Sequence, residues 1–176
     1  MGQHRRERLD LEAYIDKSQK GPCFICEIVA GVPGRPEPVV YRDSSAIAFL
    51  ARYPALLGHV LVAPLDHRED VVASFSQAEY LSLQSLVYRV GKAVASVLPT
   101  ERLYVLSLGS KQGNAHVHWH VAPLPPGVPY ENQQFRALMV EGDGYLVVPP
   151  EEGERLAHRI GSAMRPDEPA HGRGNP

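Results

Sequence analysis

The sequence predicts an α+β fold in one domain: a sheet of about five antiparallel strands, one long helix across it, and further helices towards the C-terminus. Three observations predict it. Five short runs rich in β-branched and apolar residues are separated by Asp, Pro and Gly. Between the third and fourth lies a long segment with a 3.6-residue apolar period. The 176 residues can bury a real core in one domain and leave a second domain unexpected.

In chain order, "LDLEAYIDKS" reads as a helix in an N-terminal extension, residues 1–20. "GPCFICEIVAGVPGRPEP" is turn-rich, with room for one helical turn. "PVVYRD", "AIAFLA" and "GHVLVAPL" are the first three strands. In "SQAEYLSLQSLVYRVGKAVASVL", Ser76 caps a helix with Glu79 three residues on, and Tyr80, Leu83, Leu86, Val87, Val90, Val94 and Val97 keep the helical period. "RLYVLSLG" and "AHVHWHVAPL" complete the sheet. After "PLPPGVP" two helices are expected, "ENQQFRALMV" and "EEGERLAHRIGSAM". Residues 21–128 then form the domain, 129–165 a helical extension packed on it, and 166–176 a disordered tail.

With 18 Lys and Arg against 20 Asp and Glu, the formal charge is −2. That balance leaves no footprint for general binding to a nucleic-acid backbone or an anionic membrane, so any phosphate must be recognised locally. No apolar run approaches the roughly 18 residues of a membrane span, and the first residues mix charges instead of presenting an apolar signal core. A cytoplasmic protein is expected, with neither membrane nor polymeric nucleic acid as partner. The two cysteines, Cys23 and Cys26, are too close in sequence for an ordinary disulfide framework and suit metal or redox chemistry.

"GNAHVHWHVAP" carries His116, His118 and His120 at alternate positions. On a strand these face one side, while Val117, Trp119 and Val121 face the other and enter the core. One histidine there could be an exposed polar residue; three in register point to chemistry. Two readings remain at this stage: a three-histidine metal site, or a histidine acting on phosphate as nucleophile or acid-base.

The run "HVHWHVA" follows the pattern His-φ-His-φ-His-φ-φ, with φ apolar, and "GHVLVAPLDH" upstream resembles the strand carrying a fourth histidine in the histidine triad (HIT) family. The likeness spans roughly Cys23 to Pro125, with "CxxC" and "GHVLVAP" in matching order. It implies a HIT-like sheet, often paired across a homodimer. It also implies a nucleotide hydrolase or nucleotidyl transferase working at the α-phosphate, with dinucleoside polyphosphates or nucleoside phosphoramidates as leading substrates. By this resemblance His118 is the nucleophile that forms a nucleotidyl-histidine. His120 and His59 contact phosphate oxygens, His116 orients the nucleophile, and His120 is the first choice to protonate the leaving group. A subset of the family, and the related galactose-1-phosphate uridylyltransferases, hold zinc with a CxxC pair, a later histidine and the first triad histidine. The matching residues are Cys23, Cys26, His67 and His116, and a closed site of this composition is structural. A free thiol pair or a redox CxxC is the other reading of the cysteines.

The departures bear on the substrate. The family's Asp or Asn that binds the ribose hydroxyls falls on Ala51, so weak discrimination between ribo- and deoxyribonucleotides is expected, with Asp43 the first residue to take the role over. The family's Asn upstream of the triad is matched best by Ser107, and its Ser or Thr before the first triad histidine by Gly113, leaving Gln112 or Asn114 as substitutes. Phe49, Leu50 and Asp43 lie near the expected nucleoside pocket, and the structural reading of each is favoured over a ligand contact. The competing functional readings are a nucleotide-binding or partner-binding module with little turnover, and a hydrolase with catalytic zinc at the triad itself.

Overall fold

The structure is a computed structural model that describes residues 4–34, 37–108 and 115–164. Five antiparallel strands form the main sheet: β2 (Val39–Arg42), β3 (Ala46–Leu50), β4 (Val60–Pro64), β5 (Arg102–Leu106) and β6 (Trp119–Leu124), in the spatial order β2-β3-β4-β6-β5. The strand β1 (Arg6–Glu7) precedes the helices α1 (Leu11–Lys20) and α2 (Phe24–Val29). The long helix α3 (Gln77–Val97) follows β4 and opens on the expected capping box, in which Ser76 Oγ accepts from the Glu79 N–H and the Glu79 carboxylate accepts from the Ser76 N–H.

The sheet's two faces are built for different purposes. One face turns Ala46, Ala48, Leu50, Val60, Val62, Val117, Trp119 and Val121 into a core shared with Leu83, Leu86, Val90 and Val94 of α3 and with Leu156 and Ile160 of the C-terminal helix. Burying such side chains stabilises the fold by roughly 1.5–3 kcal/mol each. The opposite face turns Ile47, Phe49, Leu61 and Ala63 towards Ile25 and Ile28 of α2, and it also bears the histidines. Alternation is what separates them.

The C-terminal region differs from the expected pair of helices. "ENQQFRALMV" breaks into a 3₁₀ turn (Tyr130–Asn132) and two short helices, α4 (Phe135–Leu138) and α5 (Val140–Asp143). The breaks are at Gln134, whose φ of 58° is left-handed, and at Met139, which is extended at ψ 118°. The second expected helix is present as α6 (Pro150–Ala163). Between them β7 (Tyr145–Leu146) pairs with β1, which the sequence did not reveal because two-residue strands carry no period. Arg6 adds a tie across this junction, donating to Gly144 O at 2.7 Å and to Ala55 O at 2.8 Å. The tail from residue 166 lies outside the described residues. No helix among the described residues is long and apolar enough to cross a membrane.

Candidate active site and metal centre

The register lays the site out in rows. Leu61 pairs with Phe49 on one side and with His120 on the other. Continuing the β4–β6 register places His118 across from Ala63. His59 lies across from Ala51, since the Ala51 N–H donates to His59 O at 2.9 Å. Gly58 holds the turn into β4: its φ of 80° favours glycine, and a Cβ there would overlap Leu98 Cδ1. This is the physical requirement behind the "GH" pair. β6 itself begins at Trp119, later than "AHVHWHVAPL" implies, because the Val117 N–H donates to Arg68 O at 2.7 Å instead of joining the ladder.

Partners that can only accept set the histidine tautomers. His118 donates from Nδ1 to the backbone carbonyl of His116 at 2.7 Å, so Nε2 carries the free lone pair. Ser107 Oγ donates to the His118 carbonyl at 2.8 Å and fixes the same residue from its other end. Phe24 stands edge-on to the His118 ring, at 6.4 Å between centroids. His116 donates from Nε2 to Pro64 O at 3.0 Å, leaving Nδ1 to face the thiols of Cys23 and Cys26, each at 3.5 Å. His67 donates from Nε2 to Glu69 at 3.1 Å, and its Nδ1 faces Cys26 Sγ at 3.3 Å. The ligand atoms of Cys23, Cys26, His67 and His116 lie within 4.8 Å of one another, a group able to hold a metal ion. Partial burial, and then the neighbouring Cys23, push the Cys26 thiol up to about 11, so without a cation it is protonated.

At the other end of the row, His59 Nε2 and His120 Nδ1 share one hydrogen bond at 2.9 Å. Burial pushes His59 down to about 4, with His118 adding to it. It pushes His120 down to about 2, reinforced by His59 and His118. His116 is lowered to about 4 by burial, against the opposing bond to Pro64 O. His118 is lowered by burial too, partly offset by its bond to the His116 carbonyl. All four imidazoles are therefore neutral at pH 7 in the free protein, and a nearby anion would favour their protonated forms.

The remaining sequence candidates fall in different places. Phe49 is fully buried under the histidine face and Leu50 points into the core of the other face. Asp43 closes the β2–β3 turn, accepting from the backbone of Ser45 and Ala46, Ser45 Oγ and Tyr41 Oη. It stands at the opposite end of β3 from Ala51, so the structure does not bring it to the histidines. Gln112, Gly113 and Asn114 lie outside the described residues. Sequence reading missed Phe24, hidden inside "CFIC", and Glu69, which stands two residues beyond His67 as a carboxylate partner would. It also missed Glu37, whose side chain is 3% exposed and pairs with Arg52 at 2.6 Å.

An antiparallel α+β sheet that lines three alternating histidines along one face, beside a Cys₂His₂ cluster, defines a histidine-triad architecture. The chain belongs to the HIT family: the HIT domain pattern matches residues 33–126. An uncharacterized HIT-like protein of Saccharolobus solfataricus is 30% identical over 104 residues, 57% of this chain and 73% of that protein. The adenosine 5′-monophosphoramidase hnt1 of Schizosaccharomyces pombe is 28% identical over 146 residues, 81% of this chain and 98% of that protein. Among solved structures, a hypothetical histidine triad nucleotide-binding protein from Sulfolobus tokodaii superposes with a TM-score of 0.64 at 25% identity, covering 81% of this chain and 91% of that one. A Zn-bound histidine triad family protein from Mycobacterium smegmatis gives a TM-score of 0.63 at 23% identity, over 81% and 92% of the two chains.

Proposed function

We propose that the protein is a nucleotide hydrolase or nucleotidyl transferase that cleaves at the α-phosphate, with nucleoside phosphoramidates or dinucleoside polyphosphates as substrates. The observation that carries this reading is the His118 tautomer, with Nδ1–H held by the His116 carbonyl and the lone pair on Nε2, which bonds none of the described residues. A phosphoramidase among the relatives supports the same reaction class. His118 Nε2 attacks the α-phosphorus and forms the P–N bond as the bond to the leaving group breaks. The hydrogen-bonded pair of His59 and His120 donates to the charge that develops on the phosphoryl oxygens, and His120, protonated once the substrate's phosphate charge lies beside it, passes that proton to the leaving group and becomes neutral. Water or another acceptor then attacks phosphorus, the P–N bond breaks, and the acceptor's proton returns to His120. The imidazole suits both steps, being nucleophilic when neutral and a good leaving group from a protonated phosphoramidate.

Cys23, Cys26, His67 and His116 are proposed to hold zinc. Around a tetrahedral zinc, sulfur and nitrogen ligands stand roughly 3.3–3.8 Å apart; three of the four sulfur–nitrogen separations here are 3.3, 3.5 and 3.5 Å, and the fourth lies within 4.8 Å. With both His ligands held through their other nitrogen by Pro64 O and Glu69, the residues fit a closed structural site. Bound zinc would supply a cross-link between α2, the loop after β4 and the start of the triad. A homodimer paired along β5 is supported by that strand's place at the sheet edge, with Val105 and Leu108 exposed. The free thiols suit a reducing cytoplasm.

The test is covalent trapping. Rapid quenching of the unaltered protein with a slow substrate, followed by intact mass, is expected to show one added nucleotidyl unit, stable to base and labile to acid. His118→Ala is expected to lose turnover by about 10⁴-fold or more while still binding nucleotide. Unimpaired turnover by His118→Ala would sink the mechanism.

A further inference from the structure

Three successive backbone carbonyls lead into His59, and each accepts from a different part of the chain. Pro54 O accepts the Leu146 N–H of β7 at 2.8 Å, Ala55 O accepts Arg6 Nη2 at 2.8 Å, and Leu56 O accepts the N–H of His59 itself at 3.2 Å. Ala55 is 1% exposed, and a buried carbonyl needs a donor. That donor comes from outside the HIT domain: the family pattern covers residues 33–126, and Arg6 stands in β1.

The seat of the guanidinium is closely built. Its other nitrogen, Nη1, donates to Gly144 O at 2.7 Å, so one side chain ties the loop before His59 to the C-terminal extension. Gly144 has a φ of 75°, and a Cβ there would overlap Glu7 O, so glycine is what lets β1 come this near. Arg5 O accepts the Val147 N–H at 2.9 Å, Tyr145 Oη donates to Glu7 at 2.9 Å, and His4 Nε2 lies 3.0 Å from Glu152 of α6. The segment is therefore held along its length. At the other end of the relay, the His59 ring has one side-chain bond, Nε2 with His120 Nδ1 at 2.9 Å, and its Nδ1 has no partner among the described residues. Its aim follows the backbone that carries it.

We infer that Arg6 is a positioning residue for His59: by holding the Ala55 carbonyl against the C-terminal extension, it fixes the turn through Leu56 and Gly58 that presents the imidazole to the phosphoryl oxygens. This rests on the nucleotide reading above and assigns part of that site's accuracy to the N-terminal segment. The hydrogen bonds of Arg6 go to Ala55 and Gly144 and not to the histidines, so it acts through the loop. A planar guanidinium suits the task, because its fork fixes direction as well as distance towards two carbonyls on separate elements. Misplacing a catalytic group by an ångström can cost about 10²-fold in rate, so even a small release of the turn is felt in turnover.

Arg6→Ala and Arg6→Lys, compared with the unaltered full-length protein, test it by two readouts. One is steady-state kinetics with adenosine 5′-phosphoramidate; the other is the imidazole NMR signals, with those of His59 assigned by their loss from His59→Gln. Arg6→Ala is expected to lower kcat by about 10-fold with KM within about three-fold, since a donor to developing charge acts mainly in the transition state. It is also expected to move the His59 and His120 ring signals while those of His67 and His116 stay in place. A variant weakened only in stability would, well below its melting temperature, keep both the kcat of the unaltered protein and its His59 signals. Arg6→Lys keeps the charge and can serve one carbonyl at a time, so it is expected to fall between the two. The inference is overturned if either kcat or the His59 signals are unchanged in Arg6→Ala. If the unaltered protein turns over no nucleotide, the nucleotidyl reading fails instead, and the His59 signals alone decide whether Arg6 places the ring. Should Arg6→Ala fail to fold, Arg6→Lys decides by the same two readouts.

Discussion

At the Pro64 end of the histidine face every ring nitrogen has an assigned partner, whereas at the Gly58 end the imidazoles are left short of partners. His67 and His116 each donate from Nε2 to an oxygen and turn Nδ1 to the thiols. His59 and His120 share a single hydrogen between them, and His59 Nδ1 has no partner among the described residues. His118 stands between the two regimes, with one nitrogen fixed and the other without a partner among the described residues. Identical side chains a few residues apart are thus committed to opposite tasks. A saturated imidazole holds its geometry, and an unsaturated one awaits charge from a ligand.

The comparison breaks most severely if the saturated end does not hold metal. Cys26→Ser is expected to lower metal content and melting temperature together, by on the order of 10 °C, because binding free energy at a structural zinc is also folding free energy. Metal analysis with scanning calorimetry reads both. Full occupancy in a Cys23→Ser, Cys26→Ser double variant would contradict the assignment.

At the unsaturated end the same kind of change should touch rate and leave architecture alone. His120→Ala is expected to lower kcat/KM by about 10²- to 10³-fold, the usual cost of one donor to developing phosphoryl charge, with metal content unchanged. Steady-state kinetics beside metal analysis separates it from the cysteine variant. A fall in metal content would mean that the two ends are not independent.

The smallest effect sharpens the contrast through pH. His59 and His120 are held neutral in the folded protein, well below the ordinary histidine value of 6.5. Below 6.5 the unfolded chain therefore takes up protons that the folded protein does not. Their contribution is undiminished above pH 6.5, and stability falls as pH drops from there towards 4, by up to about 1.4 kcal/mol per pH unit for each group. Urea unfolding at steps between pH 7 and 4.5 measures the slope. Since zinc ligands also gain protons in that window, the informative quantity is the difference between the unaltered protein and His59→Gln. It is expected to be about one proton's worth, and identical slopes would show that His59 is not held neutral.

Much of the fold was legible because its signals are local. Alternation in the strands, the Ser76–Glu79 capping box and the period of α3 all depend on near neighbours, and each stands as expected. The C-terminal extension was less legible. Gln134 and Met139 interrupt a stretch whose composition favours helix, and β7 exists only because β1, distant in sequence, lies beside it.

The sequence by itself determined the chemistry on offer: three alternating histidines leading into one strand, a thiol pair, and apolar alternate residues that turn to the core. These follow from the period of two along an extended chain. Only the tertiary structure decided how that chemistry is divided. Which imidazole nitrogen is free depends on carbonyls and carboxylates brought up by other elements: His116 O for His118, Pro64 O for His116 and Glu69 for His67. Glu37 reads in sequence as one more charge ahead of a strand. Its burial beside Arg52 and its place across from Ala51 arise from strand register, because a hydrogen-bond partner is chosen by distance in space, to which spacing along the chain is blind.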